Sequence, residues 1–287
     1  MLISGAQILV EELIHQGVET VFGYPGGTVL DIYDQLFLHQ NRIKHVVSAH
    51  EQGAIHAADG YARVSGKVGV VIATSGPGAT NLVTGIANAY LDSTPLVAIT
   101  GNVATPLLGK DSFQEVDIIG ITQPIVKHSF LVRDVKDLEG IIKEAFMIAS
   151  SDRNGPVLID FPKDMQQALY HYPSDSYRSE YYHRPPEEND YYNAVQAITQ
   201  SQRPFIYCGG GVVYAGASAE VLALSKKINA PIGMSMMGLS AIPSSYELNM
   251  GMTGMHGKYA ATMVQDEADL LIAIGVRFSD RATGNVR

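Results

Sequence analysis

The chain has 287 residues, 46% of them hydrophobic and 17% charged, with a formal net charge of −9. That balance suits a well-buried globular protein of one large or two medium domains, and the absence of any Lys/Arg-rich run argues against a nucleic-acid partner. No apolar run reaches membrane-span length, no basic leader precedes Ser4, and the single cysteine, Cys208, excludes an internal disulfide and suits a reducing cytoplasm.

Ser4 to Gln16 reads as an amphipathic helix, with a Ser4/Gln7 capping box, one apolar face through Ala6, Leu9, Val10 and Leu13, and Gly17 as its stop. Val21-Phe22 reads as a short strand leading into Gly23-Tyr24-Pro25-Gly26-Gly27 and a helix from about Thr28 to Phe37. His45 to Arg63 is the stretch around which the chain is organised. A short β-branched strand, Val46-Val47, turns into a helix on which Ala54, Ala57, Ala58, Tyr61 and Ala62 recur at helical spacing. Glu51 stands at the switch from strand to helix, and the small residues after it let another group approach that helix closely. Taken alone, Glu51 reads first as an exposed first-turn acid favoured by the helix dipole.

Val68 to Ala73 is a continuous apolar run, as in a parallel strand buried on both faces, and it ends in Thr74-Ser75-Gly76-Pro77-Gly78-Ala79-Thr80-Asn81. Pro95 to Thr100 repeats that pattern, Gly101 to Gln123 reads as irregular, Asp137 to Ala149 as helix, and Pro156 to Phe161 as a strand ending in Pro162-Lys163-Asp164. Alternating strand and helix predict an α/β fold with a doubly wound parallel sheet over residues 1–165. In such sheets ligands bind at the carboxyl ends of the strands, where Glu51 and the glycine turns fall. Residues 166–190 are polar, Tyr-rich and carry Pro173, Pro185 and Pro186, and read as a linker.

Residues 191–287 read as a second, partial α/β domain. Its strands are Phe205 to Tyr207, one beginning at Pro231-Ile232, and a buried one, Leu270 to Ile274; its helix is Ala219 to Ile228. Three strands are few for a doubly wound domain, so this one reads as cut short. Gly209-Gly210-Gly211 follows a strand, but Tyr214 occupies the third glycine position of a dinucleotide fingerprint, which leaves it between a tight turn and a phosphate cradle. His50-Glu51 lacks the second histidine of a zinc helix, and no ligand cluster has zinc spacing. Lys163 alone would be a solvated lysine. Arg277, after a strand, suits a carboxylate or phosphate.

Together these motifs resemble the large, catalytic subunit of the acetohydroxyacid (acetolactate) synthase family. The matching stretches are Phe22 to Gly27, His50-Glu51-Gln52, Thr74 to Asn81, Phe113-Gln114-Glu115, Lys127-His128, Pro162-Lys163-Asp164, Gly254-Met255-His256-Gly257 and Gly275-Val276-Arg277-Phe278. The resemblance implies a thiamine-diphosphate transferase that decarboxylates pyruvate and joins the two-carbon unit to a second 2-keto acid, in branched-chain amino-acid biosynthesis. It implies that Glu51 bonds the aminopyrimidine ring, that Tyr24, Pro25, Gly26 and Asn81 line its pocket, and that Gly27 and Gln114 face the reacting centre. Phe113 and Lys163 are implied near the second substrate and Arg277 near its carboxylate. A structural FAD is implied against Arg153, Gly209, Gly210, Gly211, Met237, Gly238, Leu239, Met255, His256, Gly257 and Arg277.

The family's diphosphate domain, with a GDG…NN motif that binds Mg²⁺, has no counterpart in these residues, so no metal ligand is assigned and the chain alone is expected to be inactive. A homodimer with its sites between subunits is implied, and a regulatory small subunit is left open. Ser279 departs from the family's usual Asp, while Arg277, Asp280 and Arg281 keep the pattern. Other enzymes on the same framework, such as oxalyl-CoA decarboxylase, pyruvate oxidase or glyoxylate carboligase, and a non-catalytic cofactor-holding fragment are the alternatives. Glu51 argues against glyoxylate carboligase.

Overall fold

The computed structural model describes residues 1–172 and 185–283; they form two compact units, one within residues 1–182 and the other within 183–287. The first begins with β1 (Leu2–Ser4) running directly into α1 (Gly5–His15). Ser4 caps the helix, its hydroxyl accepting from the Gln7 amide at 3.2 Å, and Gly17 follows it at φ 79°, a left-handed turn that favours glycine. Next come β2 (Thr20–Gly23), α2 (Leu30–Leu38), β3 (Lys44–Val47), α3 (Glu51–Ser65), β4 (Gly69–Ala73), the single-turn α4 (Pro77–Thr80), α5 (Val83–Asp92) and β5 (Leu96–Asn102). A long loop leads to α6 (Ile118–Thr122), β6 (His128–Leu131), α7 (Leu138–Ser150), β7 (Pro156–Pro162), α8 (Lys163–Gln167) and β8 (Leu169–His171).

The strands β2 to β7 form one sheet in the order β3-β2-β4-β5-β7-β6, every neighbouring pair parallel. The central strands β4, β5 and β7 are buried at every residue. Because successive side chains leave a strand on opposite faces, Val70 and Ile72, Val97 and Ile99, Val157 and Ile159 enter one core with the apolar faces of α1, α2 and α7. Val71 and Ala73, Leu96 and Ala98, and Leu158 enter the other with α3, α5 and α6. That double burial is the physical content of the continuous apolar runs, and it gives the doubly wound sheet.

The segment read as a linker from Gln166 starts too early. Gln166 and Gln167 complete α8, and β8 pairs antiparallel with β1. Tyr172 then returns to the first unit: its hydroxyl donates to the buried Glu12 carboxylate, and its carbonyl accepts from the Met1 ammonium at 2.8 Å. Three residues pairing at a sheet edge leave no apolar periodicity to read. Pro173 to Arg184 lie outside the described residues. At the far end of the linker reading, Glu188 to Asp190 already belong to a helix, closed by a Glu187/Asp190 capping box.

The second unit comprises α9 (Glu188–Gln200), β9 (Pro204–Cys208), α10 (Gly210–Tyr214), α11 (Ser218–Ile228), β10 (Ile232–Met234), β11 (Asn249–Met252), α12 (Tyr259–Asp266), β12 (Leu270–Ile274) and α13 (Asp280–Thr283). Its sheet is parallel, in the order β11-β10-β9-β12. The strand missing from the sequence reading is β11, where Gly251 at φ 83° and a register shift against β10 erase any apolar alternation. The strand β12, expected to be buried, has residues that alternate between half-buried and exposed, because among the described residues only β9 pairs with it.

Candidate active site

In the first unit the site grows from the carboxyl ends of β2, β3, β4, β5 and β7. Glu51 opens α3 and is buried, 8% exposed. Its Oε2 accepts from Asn81 Nδ2 at 2.9 Å. Its Oε1 lies 3.2 Å from where a Cβ on Gly78 would stand, so the glycine keeps that oxygen open. Tyr33 donates its hydroxyl to the Ile72 carbonyl at 3.2 Å. Burial first, and then the nearby Glu51 carboxylate, push the Tyr33 phenol far above its ordinary value, so it stays a neutral hydroxyl. His45 packs edge-on against that ring with centroids 4.7 Å apart. Burial lowers its pKa, partly opposed by a hydrogen bond to the Gly23 backbone.

The turn after β2 is pinned on two sides. The Thr28 and Thr74 hydroxyls meet at 3.0 Å, and the Ser75 amide donates to Thr28 Oγ at 3.0 Å. These bonds hold Thr28 out of the helix expected to start there; α2 begins at Leu30. Gly26 is forced by closeness: a Cβ there would come within 2.5 Å of Thr74. Gly27 faces open space, with nothing within 4 Å of a Cβ, and its carbonyl accepts from Lys163 Nζ at 3.1 Å. Gln114 approaches Gly76 so closely that a Cβ on the glycine would lie 2.6 Å from its carbonyl oxygen. Gln114 itself is left-handed at φ 55°, uncommon for a non-glycine residue. Glu51, Gly26, Gly27, Asn81, Gln114 and Lys163 therefore gather at one end of the sheet. Tyr24 and Pro25 lie on the same turn, and Phe113, 85% exposed, lies on the loop of Gln114.

Arg153 is different. It precedes β7 at the amino end of the sheet, donating to Ser93 Oγ at 2.7 Å and to the Tyr90 carbonyl. Lys127 is structural as well, its ammonium capping the carbonyls of Ile148 and Ser151 beyond α7.

Within the second unit the three turns after β9, β10 and β12 meet. The Gly211 amide donates to the Gly275 carbonyl at 2.9 Å, and a Cβ on Gly209 would collide with that same oxygen. Gly210 packs on Met237, and Gly238 on the Cys208 carbonyl. The triple glycine is thus required first by the approach of chain to chain. Met255 donates its amide to the Arg281 carbonyl at 2.8 Å, which joins the Gly254–Gly257 turn to α13. Arg277 is exposed beyond β12.

Two family descriptions match: thiamine pyrophosphate enzyme, N-terminal TPP binding domain, over residues 3–121, and thiamine pyrophosphate enzyme, central domain, over residues 192–287. The chain belongs to the thiamine pyrophosphate enzymes. It is 48% identical over 290 residues to the acetolactate synthase isozyme 3 large subunit of Escherichia coli K12, covering 99% of this chain and 50% of that protein. The acetolactate synthase large subunit of Buchnera aphidicola from Acyrthosiphon pisum is also 48% identical, over 99% of this chain and 51% of its own. The probable acetolactate synthase large subunit of Methanocaldococcus jannaschii is 44% identical, over 99% and 49% respectively. The chain spans about half the length of these curated relatives.

The residues present fit the heterocycle of thiamine diphosphate. A buried carboxylate with one oxygen held and the other open beside a glycine suits a ring nitrogen that donates a hydrogen bond. Sequence reasoning missed the residues that hold the site from behind. Thr28, Asp164 and Gln166 are polar side chains turned inward at strand ends, and Asp164 beside Lys163 was the one visible signal.

Proposed function

We propose that this chain is the amino-terminal part of an acetolactate synthase catalytic subunit, which decarboxylates pyruvate and condenses the product with a second 2-keto acid to 2-acetolactate or 2-aceto-2-hydroxybutyrate. The observation that carries the reading is the buried Glu51 carboxylate, held by Asn81 and open toward Gly78, in a chain 48% identical to acetolactate synthase large subunits. Thiamine diphosphate, when bound, supplies the carbanion-stabilising carbon that decarboxylation of a 2-keto acid requires.

The residues of the chain bind and orient. Glu51 Oε1 accepts a ring N–H, while Tyr24, Pro25, Gly26 and Asn81 enclose the ring. Gly27, without a side chain, leaves room at the reacting centre, and Lys163 fixes the Gly27 carbonyl. Gln114 is assigned to the reacting centre, Phe113 and Lys163 to the second acid and Arg277 to that acid's carboxylate, as the resemblance implies. The Mg²⁺ and diphosphate ligands are assigned outside this chain.

The first unit, through Tyr172, is then the pyrimidine-binding domain and the second, from α9 onward, part of an FAD-binding domain. In the second unit the turns of Gly209 to Gly211, Met237 to Leu239 and Gly275 to Arg277 at the strand ends suit a flavin nucleotide, with Met255, His256 and Gly257 assigned to the same group. A cytoplasmic homodimer is part of the same reading. Its support is the outer face of α3, where Gly53 and Gly60 have nothing within 4 Å of a Cβ and Ala57 is exposed.

The test is the full-length protein containing this chain, assayed with pyruvate, thiamine diphosphate, Mg²⁺ and FAD. Acetolactate formation is expected. Pyruvate consumption without acetolactate would overturn the reading in favour of another thiamine enzyme.

A further inference from the structure

The first two residues of α8 point to two different walls of the site. Lys163 reaches the Gly27 carbonyl, as described. Asp164 reaches the opposite way: Oδ1 accepts from the Thr105 amide at 3.0 Å and Oδ2 from the Thr105 hydroxyl at 2.5 Å. Thr105 opens a single 3₁₀ turn, Thr105–Leu107, that has no side-chain cap of its own. Asp164 therefore supplies from 59 residues away the capping acceptor that the turn lacks.

The segment beyond Thr105 is closed on itself. Ser112 Oγ donates to the Leu107 carbonyl at 2.9 Å, and the Glu115 carboxylate accepts from the amides of Gly109 and Ser112. At its root, Asn102 accepts from the Val103 amide at 2.8 Å while its amide group donates to Asp160 at 2.6 Å. This compact loop carries Phe113 and Gln114 and presses Gln114 onto Gly76. Its core is polar and internal, so what fixes its height over the sheet is the anchoring at its base, where Asp160 of β7 holds Asn102 and Asp164 of α8 holds Thr105.

We infer that Asp164 is a positioning residue that sets the Val103–Glu115 loop, and with it Phe113 and Gln114, at the distance from Gly27 that selects the second 2-keto acid. This rests on the proposed acetolactate synthase reading. A rigid acid–hydroxyl clasp beside Lys163 makes one short helix register two walls at once, so an error on one side becomes a gap between the two. Selection between acids that differ by one methylene reaches about 10–200-fold in a well-fitted pocket, and a loop free to ride up forfeits part of it.

The experiment compares Asp164→Ala, Thr105→Val and the double variant in the full-length protein, against wild type. The measurements are pyruvate kcat and KM, the product ratio with pyruvate and 2-ketobutyrate in competition, thiamine diphosphate affinity, and amide hydrogen exchange of residues 103–115. Both single variants are expected to raise the pyruvate KM severalfold and to shift the product ratio by about threefold or more, with cofactor affinity within about twofold. The double variant is expected to be no worse than Asp164→Ala, because both remove one clasp. Unchanged product ratio and KM in both single variants would overturn the inference, as would additive losses or loss of cofactor binding in step with activity. Thr105→Val removes only a hydroxyl and keeps the test valid if Asp164→Ala does not fold. If wild type makes no acetolactate, the proposed function fails by itself, and the clasp is then decided by hydrogen exchange. Faster exchange over residues 103–115 in Thr105→Val upholds it, and unchanged exchange overturns it.

Discussion

Asn81, at the end of the single-turn α4, donates its side-chain amide to Glu51 Oε2 at 2.9 Å and so fixes which carboxylate oxygen is left to bind. The segments that follow β3 and β4, two strands separated by β2, thereby share one hydrogen bond, and the buried acid is oriented before any ligand arrives.

Glu51→Gln in the full-length protein should therefore leave the fold intact and slow acetolactate formation by about 10²–10³-fold, the loss seen when one preorganised hydrogen-bonding group is removed. Asn81→Ala keeps the acceptor but loosens it, and a lost hydrogen bond of about 1.4 kcal/mol corresponds to about tenfold. Steady-state assays decide both. Near wild-type turnover in Glu51→Gln would end the assignment.

Two glycines, one against Glu51 and one farther along α3, should respond in opposite ways to alanine. A Cβ on Gly78 would stand 2.6 Å from Thr74 Cγ2 and 3.2 Å from Glu51 Oε1, so Gly78→Ala must displace one of them. Overpacking of this kind costs about 1–3 kcal/mol, and cofactor affinity should fall with it. Gly60 on α3 meets nothing within 4 Å. Gly60→Ala should stabilise the isolated helix by up to about 1 kcal/mol, yet weaken a dimer that closes on this face. Sedimentation against protein concentration reads the dimer. An unchanged association constant would remove the α3 face from the interface.

The parts of the fold legible in the sequence are those where burial repeats along the chain. Val70 to Ala73, Val97 to Ile99 and Val157 to Ile159 show two-sided burial directly, and the glycine turns after them mark the strand ends. What stayed hidden had no such repetition. The strand β6 is an edge strand with His128 exposed and its remaining residues half-buried, β8 is defined by its pairing with β1 rather than by its own residues, and β11 is distorted at Gly251. For the site, Glu51 and the glycines were readable because strand-to-helix switches put them together. Gln166 was not, and Asp164 was visible only within the Pro162-Lys163-Asp164 stretch and without a role, because a polar residue that turns inward and one that faces water are spelled the same way. Gln166 is fully buried, donating to the carbonyls of Thr28 and Phe161 at 2.8 Å each.

Asp160 predicts a pH dependence of stability. It lies buried on β7, accepting from Thr100 Oγ at 2.8 Å and Asn102 Nδ2 at 2.6 Å. Burial pushes its carboxyl from 3.8 up to about 6, against the pull of those two donors and with a smaller push from Asp117. Its folded pKa is thus above its unfolded one. Between about pH 4 and 6 the folded protein keeps a proton that the unfolded chain releases, so stability falls as pH rises through that window. Two units correspond to about 3 kcal/mol. Asp160→Asn should abolish this slope and be more stable than wild type at pH 7. Urea unfolding at a series of pH values checks it, and a slope that survives in Asp160→Asn would refute the assignment.

The last prediction concerns Arg277. It stands three residues beyond β12, exposed at the carboxyl end of a parallel strand, where open sheets place their ligands. A guanidinium there can grip a carboxylate through two parallel hydrogen bonds, a geometry that an ammonium does not copy. In the proposed reaction the first pyruvate loses its carboxylate as CO₂ and only the second acid keeps one. An arginine that holds that group acts on the condensation and leaves the decarboxylation alone. Arg277→Lys in the full-length protein should therefore keep both cofactors and still release CO₂ from pyruvate. It should lose condensation efficiency by about 10–100-fold, or about 1.4–2.8 kcal/mol, and discriminate less between pyruvate and 2-ketobutyrate, because a flexible ammonium fixes orientation poorly. If Arg277 serves only the flavin or the packing of the second unit, the variant loses flavin or stability while the product ratio stays put. Flavin content measured beside product competition separates the two, and an unchanged ratio in a flavin-replete variant counts against the carboxylate grip.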